Sequence, residues 1–366
     1  MRVKVPRTLV TFPREGEIVI YNYLTKTAIT CAPSDIYWLT IAPNWTSIEE
    51  IAASHPHIEP QSLQEQIIRL VDLGILLGEN TPEAETESCY RQSWELGIAA
   101  GLFHFSILDN EYAAPSAGVS KQLQRAEFEP TPDLFWRNSE KAISLPECPG
   151  PASSELFEIM RRRRTNRNAE QSAISLQELS ECLYAGLGVT GLVRTETGLL
   201  PLKMTPSGGA RNPFEAFILV RNVQNIDAGV YHYSAFDHSL ERVAVLPEIA
   251  PRELVKGQDW ADDMPAIIFL VAVLRRTTWK YNDPNAYRVV LIEAGHIAQN
   301  IMLACTCNNL TACPTAALSH KQISKVLDLS DITQTPVYAL LIGKPGENTD
   351  TIVAIERQAR LIGSVH

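Results

Sequence analysis

Residues 277–305, TTWKYNDPNAYRVVLIEAGHIAQNIMLAC, decide how this chain is read. They close an extended apolar run, turn at Asn282-Asp283-Pro284, and enter a long helix expected over 284–306. Asp283 suits an N-cap because its carboxylate accepts from free N–H groups of the first turn. Pro284 suits the first helical position, where a missing N–H costs nothing. Lys280 and Tyr281 then fall just before the helix, in backbone that need not be helical. Neighbours on a helix diverge, whereas two residues in a turning segment can line the rim of one pocket. Such a pair sets an ammonium beside a phenol, two groups able to exchange a proton. A surface lysine with a tyrosine packed on the helix is the plainer account of the same residues.

Outward from this stretch the pattern mixes strands and helices. AIIFLVAVL (266–274) precedes it as a strand, and FEAFILV (214–220), GVYHYSA (229–235) and VYALLIG (337–343) read likewise. Helices are expected at 153–164, at 320–328, and at 175–186 behind the capping box Ser175–Glu178. The mixture predicts an α+β domain, a central mostly antiparallel sheet flanked by helices.

The first 80 residues are organised differently. TLVTFP, EIVIYNY and TAITCA read as short strands. Three short helical patterns follow, one after Pro33-Ser34 and two opened by capping boxes at Thr46–Glu49 and Ser62–Glu65, then the small strand ILLG. This order predicts a winged-helix-like module over 1–80. Its last helix carries one basic residue, Arg69, which argues against DNA and leaves a peptide-binding or structural role. Residues 81–150 read as a linker and connecting helix: the acidic run Glu79–Glu87 as solvated linker, SWELGIAAGLFHFSI as the helix, and a Pro-rich end at 145–150.

Composition narrows the function classes. A 45% hydrophobic and 20% charged chain of 366 residues is that of a soluble globular protein with material for two or three domains. A formal net charge of −10 argues against nucleic acid as main partner. No apolar run reaches bilayer-spanning length, and the N-terminus shows no signal-peptide core, so neither membrane nor export is expected. Seven cysteines without a framework predict reduced thiols and a cytoplasmic location. Cys305, Cys307 and Cys313 match no familiar zinc spacing, and no metal site is expected.

Three motifs bear chemistry. Arg161–Arg164, Thr165, Asn166 and Arg167 concentrate positive charge in an acidic chain, suited to a phosphate through bidentate guanidinium donors, or to a solvated helix face. Pro206-Ser207-Gly208-Gly209-Ala210-Arg211-Asn212-Pro213 sets two glycines where backbone can approach a flat ligand and present N–H groups. On the long helix, Glu293, His296 and Gln299 or Asn300 share a face and can line a buried site.

Together these residues resemble the nitroreductase-like flavoproteins, and more narrowly the azoline dehydrogenases that form thiazoles and oxazoles in ribosomal peptides. The resemblance rests on RRRTNR (162–167), PSGGARNPFEAFILV (206–220), GVYHY (229–233), WKYNDPNAYRVVLIEAGHIAQNIMLA (279–304) and VYALLIGKP (337–345). It implies a nitroreductase-like FMN-binding domain over 151–366. By the same resemblance Arg163, Thr165 and Arg167 hold the FMN phosphate, with Thr165 replacing the family's serine. Ser207, Gly208 and Gly209 lie on the isoalloxazine, and Gln299, Thr315 and Lys344 are further cofactor contacts. Lys280-Tyr281 matches the azoline subgroup's Lys-Tyr pair and so takes a catalytic role, with either residue as base. The family fold further implies a homodimer with FMN at the interface, a peptide substrate carrying azolines, and a cyclodehydratase partner. Two other readings stand beside it. One is an NAD(P)H-dependent FMN reductase of nitro compounds or dehydroamino acids, which has no need of Lys280-Tyr281. The other is a flavin-less scaffold that recruits a peptide.

Overall fold

A computed structural model describes residues 1–109, 155–195, 198–281, 285–330 and 332–347, with residues 120, 123–124 and 127–128. The turn at Asn282-Asp283-Pro284 with its N-cap, and the Pro-rich segment 145–150, lie outside the described residues.

The sheet that carries the site is built on Ala266–Val273, AIIFLVAV, whose continuous apolar run fits a strand buried on both faces. Period two divides it. Ala266, Ile268, Leu270 and Ala272 enter one core cluster, while Ile267, Phe269 and Val271 enter another. The antiparallel order is Ser239–Val245, Gly229–Ser234, Phe214–Val220, Ala266–Val273, Gln334–Pro345, Thr311–Thr315, and Ala169–Glu170 pairs with the end of Gln334–Pro345. The long helix Asn285–Cys307 and the helix Leu176–Leu187 cover the first face. Pro251–Leu254 and His320–Leu327 lie on the second.

The long helix buries Ala286, Val290, Ala294, Ile297, Ile301 and Cys305, a stripe at steps of three and four, and leaves Ile292, His296 and Gln299 exposed. Its 23 residues have the length and apolarity of a membrane span, against the sequence expectation. The buried stripe accounts for that composition as the core side of a helix packed on a sheet.

The N-terminal part holds two three-stranded sheets and its own core of Val3, Ile20, Ile51, Leu63, Ile67 and Leu70. Its local signals need three corrections. The segment Pro33–Thr40 is a 3-10 helix. The first capping box is one residue later than expected, Ser47 with Glu50. The helix Pro60–Asp72 starts before Ser62, capped by Glu59.

The acidic run is no solvated linker. Thr81 caps the helix Pro82–Ser93, and Glu87 is buried against Lys4, 2.6 Å away. Removing one partner of such a pair costs about 3–5 kcal/mol, which fixes this helix to the first strand. Tyr90, Trp94 and Phe105 then join the main core cluster, so the connecting segment is packed into the second half of the chain.

Candidate functional site

The Ser-Gly-Gly loop sits between the hairpin Val189–Thr195/Gly198–Lys203 and the strand Phe214–Val220. Gly209 has φ 61°, a left-handed conformation that glycine adopts without steric cost. The Ser207 hydroxyl donates to Glu293 Oε2 at 2.9 Å and accepts from the Asn212 N–H at 2.8 Å. Glu293 also accepts from the Gly208 backbone. Burial pushes the Glu293 carboxyl above its usual range, opposed by those two bonds and by the charge of Lys203. A Cβ on Gly208 would lie 2.5 Å from Val289 Cγ1, so the loop lies directly on the long helix.

Lys280 and Tyr281 do not follow the strand directly. A short helix, Arg275–Thr278, intervenes, and the N–H groups of both residues donate to the Thr277 carbonyl at 3.1 and 3.0 Å. This extra turn aims both side chains at the loop. A Cβ on Gly209 would lie 2.7 Å from Lys280 Cδ, 2.7 Å from Tyr281 Oη and 2.8 Å from Lys280 Nζ. Lys280 Nζ is 5.4 Å from the Tyr281 ring centroid. The sequence-predicted pair and the sequence-predicted glycines therefore meet at one point.

The arginine set lies elsewhere. Arg163 follows the helix Glu155–Arg162, its N–H donating to the Ile159 carbonyl at 2.9 Å. The segment after it is tied to the far end of the sheet. Thr311 Oγ1 donates to the Asn166 carbonyl, and the Gly346 N–H to the Asn168 carbonyl, both at 2.9 Å. Thr165 lies half-buried in this segment. Arg161 pairs with Glu158 and the Arg167 guanidinium sits over Trp260, 5.9 Å from its centroid. Among the described residues no carboxylate lies within ion-pair distance of Arg163 or Arg167. That donor set, cationic and open, fits a phosphate.

The remaining predicted contacts are engaged differently. Lys344 forms an ion pair with Glu178, the carboxylate of the Ser175 capping box. Thr315 is buried, accepting from Gln258 Nε2 at 3.0 Å and the Ala317 N–H at 3.1 Å. Gln299 is on the exposed face of the long helix, and Asn300 on its inner side donates to the Ala185 carbonyl and to Thr205 Oγ1. Of the three cysteines, Cys305 is buried 3.4 Å from Cys182, Cys313 belongs to the opposite core cluster, and Cys307 is exposed.

Strand register gives the separation of the two sets. Val273, leading into the Lys280 turn, faces Gln334, whereas Lys344 is ten residues further along the same strand. At ~3.3 Å per residue these ends are roughly 30 Å apart. Within one chain, then, the arginine end and the Lys-Tyr end do not share a pocket.

Sequence reading missed the charged group beside the loop. Glu215 accepts from His232 Nε2 at 2.8 Å and from Arg276. Burial alone would raise the Glu215 carboxyl; the His232 bond and the Arg276 charge hold it below its usual range. Burial pushes Lys203 below the usual lysine range, against Glu215 and Glu293. The signal was present as a glutamate and a histidine interrupting two otherwise apolar strands.

Comparison with known proteins matches residues 160–344 to the nitroreductase family model. A nitroreductase-type protein of Methanocaldococcus jannaschii is 31% identical over 205 residues, covering 55% of this chain and 96% of the relative. The trifolitoxin-processing protein TfxB of Rhizobium leguminosarum bv. trifolii is 29% identical over 40% of this chain and 41% of its own length. The microcin B17-processing protein McbC of Escherichia coli is 30% identical over 38% of this chain and 53% of its own length. The chain thus spans about half the length of the two peptide-toxin relatives that it matches.

Proposed function

We propose, for a chain that belongs to the nitroreductase family, that it is an FMN-dependent dehydrogenase converting thiazoline or oxazoline rings of a peptide into thiazoles or oxazoles. The observation that carries this reading is that Lys280 and Tyr281 both reach within 2.8 Å of where a Cβ on Gly209 would stand. Aromatising an azoline removes the proton α to the ring carboxamide and a hydride from the neighbouring carbon. Lys280 or Tyr281 takes the proton, as two polar ends held at one point by the Thr277 turn. The chemistry that FMN supplies when bound is acceptance of the hydride.

The residues present fit that cofactor in two groups. Arg163, Thr165 and Arg167 would hold its phosphate, and Ser207, Gly208 and Gly209 would border its ring, the Cβ-free faces of the two glycines being filled by Val289, Lys280 and Tyr281. Because the groups are roughly 30 Å apart by strand register, engaging both takes two copies of the chain, which supports a homodimer with FMN between protomers. Kinship with proteins named for processing trifolitoxin and microcin B17 supports a peptide substrate, and with it a cyclodehydratase that forms the azolines.

The test is mass spectrometry of an azoline-bearing peptide incubated with the FMN-loaded protein. Loss of two hydrogens per ring is expected. An unchanged mass, with flavin bound and the peptide intact, overturns the reading.

A further inference from the structure

Beside the Gly209 corner, two depressions share Pro201, Arg211 and Arg276 as a common wall. The first, of about 330 Å³, is lined by Lys203, Arg211, Glu215, His232 and Arg276. The second, of about 410 Å³, is lined by Leu200, Pro201, Val273 and Trp279 together with Arg275 and the two shared arginines. Both fall at the small end of the ~300–1,000 Å³ usual for ligand sites. Ala210 lines the second, so the groove opens next to Gly209 and the Lys280-Tyr281 turn.

Charge in the first depression is unbalanced. Lys203, Arg211 and Arg276 face one carboxylate, Glu215, and both of its oxygens are occupied, Oε1 by Arg276 and Oε2 by His232. Among the described residues no carboxylate lies within ion-pair distance of Lys203 or Arg211. The Arg211 guanidinium lies 5.0 Å from the Trp279 ring centroid and donates through Nε to the Gly209 carbonyl at 3.2 Å, leaving its other donors for a planar acceptor. With Arg276 balanced by Glu215 and Lys203 opposed by the nearby Glu293, the charge left over is that of Arg211, which fits a carboxylate monoanion.

We propose that this groove is a substrate subsite. A carboxylate of the peptide enters the Lys203–Arg211 depression, and an adjacent apolar residue rests against Pro201, Val273 and Trp279. The proposal rests on the peptide-dehydrogenase reading and adds a specificity to it: the enzyme prefers azolines that lie near an acidic group. That group is either an acidic side chain or the peptide's own terminus.

Calorimetric titration of the flavin-loaded full chain at low salt tests this with three azoline-free peptides. They are acetyl-Leu-Asp-Leu-amide, acetyl-Leu-Asn-Leu-amide, and acetyl-Leu-Asn-Leu with a free C-terminal carboxylate. The aspartyl peptide should bind at least about tenfold tighter than the asparaginyl amide, the range of one charge-assisted bond. Lys203→Met should remove that preference, and Arg211→Gln should weaken it in the same direction. If only the free acid gains the tenfold, the carboxylate recognised is a chain terminus and the subsite stands.

Equal binding of all three peptides overturns the proposal. So does a preference that survives in the Lys203→Met, Arg211→Gln double variant, or loss of flavin from a folded Lys203→Met, which would assign the lysine to the cofactor. A protein that shows the preference yet leaves azoline peptides unoxidised keeps the subsite and loses the enzyme reading.

Discussion

The two ends of the central sheet carry the two groups of candidate residues, and they are constructed by different means. At one end Arg163 and Arg167 extend from a segment held by backbone bonds to Thr311 and Gly346, with no carboxylate paired to either among the described residues. At the other, Ser207, Gly208, Gly209, Lys280 and Tyr281 are pressed together and onto the long helix, with clearances too small for a single added carbon. The first is organised by charge and tolerates some displacement, because a guanidinium acts over several ångströms. The second is organised by contact, where a shift of about an ångström changes which atoms meet. Charge therefore suits binding a phosphate, and contact suits aligning a proton acceptor. Variants at the two ends should fail differently.

The largest effect is expected at the contact end. Lys280→Ala and Tyr281→Phe should remain folded and yellow, because the backbone bonds to Thr277 do not depend on either side-chain end. At least one should lose about 10²–10⁴-fold in azoline oxidation, the usual range for removing a general base. Full activity in both single variants and in the double variant would break the assignment. At the charged end, Arg163→Ala and Arg167→Ala should each weaken FMN binding by about 1.5–3 kcal/mol, or roughly 10–150-fold. Flavin titration of the purified apoprotein measures this, and unchanged affinity in both would remove these arginines from the phosphate site. Smaller in energy is Gly209→Ala. A left-handed φ costs an L-residue about 1–2 kcal/mol, a few degrees in melting temperature for a domain of this size. Its added carbon also displaces Lys280 and Tyr281, so turnover should fall further than FMN affinity, whose phosphate contacts at the arginine end the change leaves in place. Parallel loss of both would mean that the two ends are not independent.

How much of this was legible in the sequence depended on the same contrast. The Ala266–Val273 and Phe214–Val220 strands, the long helix and the Ser175 cap were readable because local periodicity and capping chemistry decide them. The arginine cluster was readable because charge density is a property of the string. What the string did not show was distance. Lys344 is paired with Glu178, and Thr315 is buried and bonded to Gln258, contacts between residues far apart in the chain that no local pattern announces. The acidic run Glu79–Glu87 looked solvated because its one buried carboxylate, Glu87, is balanced by Lys4, 83 residues earlier. The short helix Arg275–Thr278 escaped notice because four residues are too few to show a period, although it orients the Lys-Tyr pair.

Glu293 gives the finest distinction between the two ends. It anchors the contact end through Ser207 and Gly208, and burial raises its carboxyl above the ordinary range. A carboxyl raised in the folded protein holds its proton more readily there than in the unfolded chain. Stability from this group is therefore present below the ordinary carboxylate pKa and declines as pH rises through the raised value. Glu293→Gln removes the titration and keeps an amide oxygen that can accept from Ser207 or Gly208. At neutral pH the change should be small, within about 0.5–1.5 kcal/mol, the worth of one hydrogen bond exchanged for another. The difference lies in slope. Thermal unfolding followed upward in pH from the ordinary carboxylate range should show wild type losing stability relative to the variant, with flavin content equal in both. Parallel curves would mean that Glu293 titrates alike in the folded and unfolded chain. A variant that loses its flavin would mean that the charge of Glu293, and not only its hydrogen bonds, holds the loop, and the contrast between a charged end and a contact end would then narrow to the arginines alone.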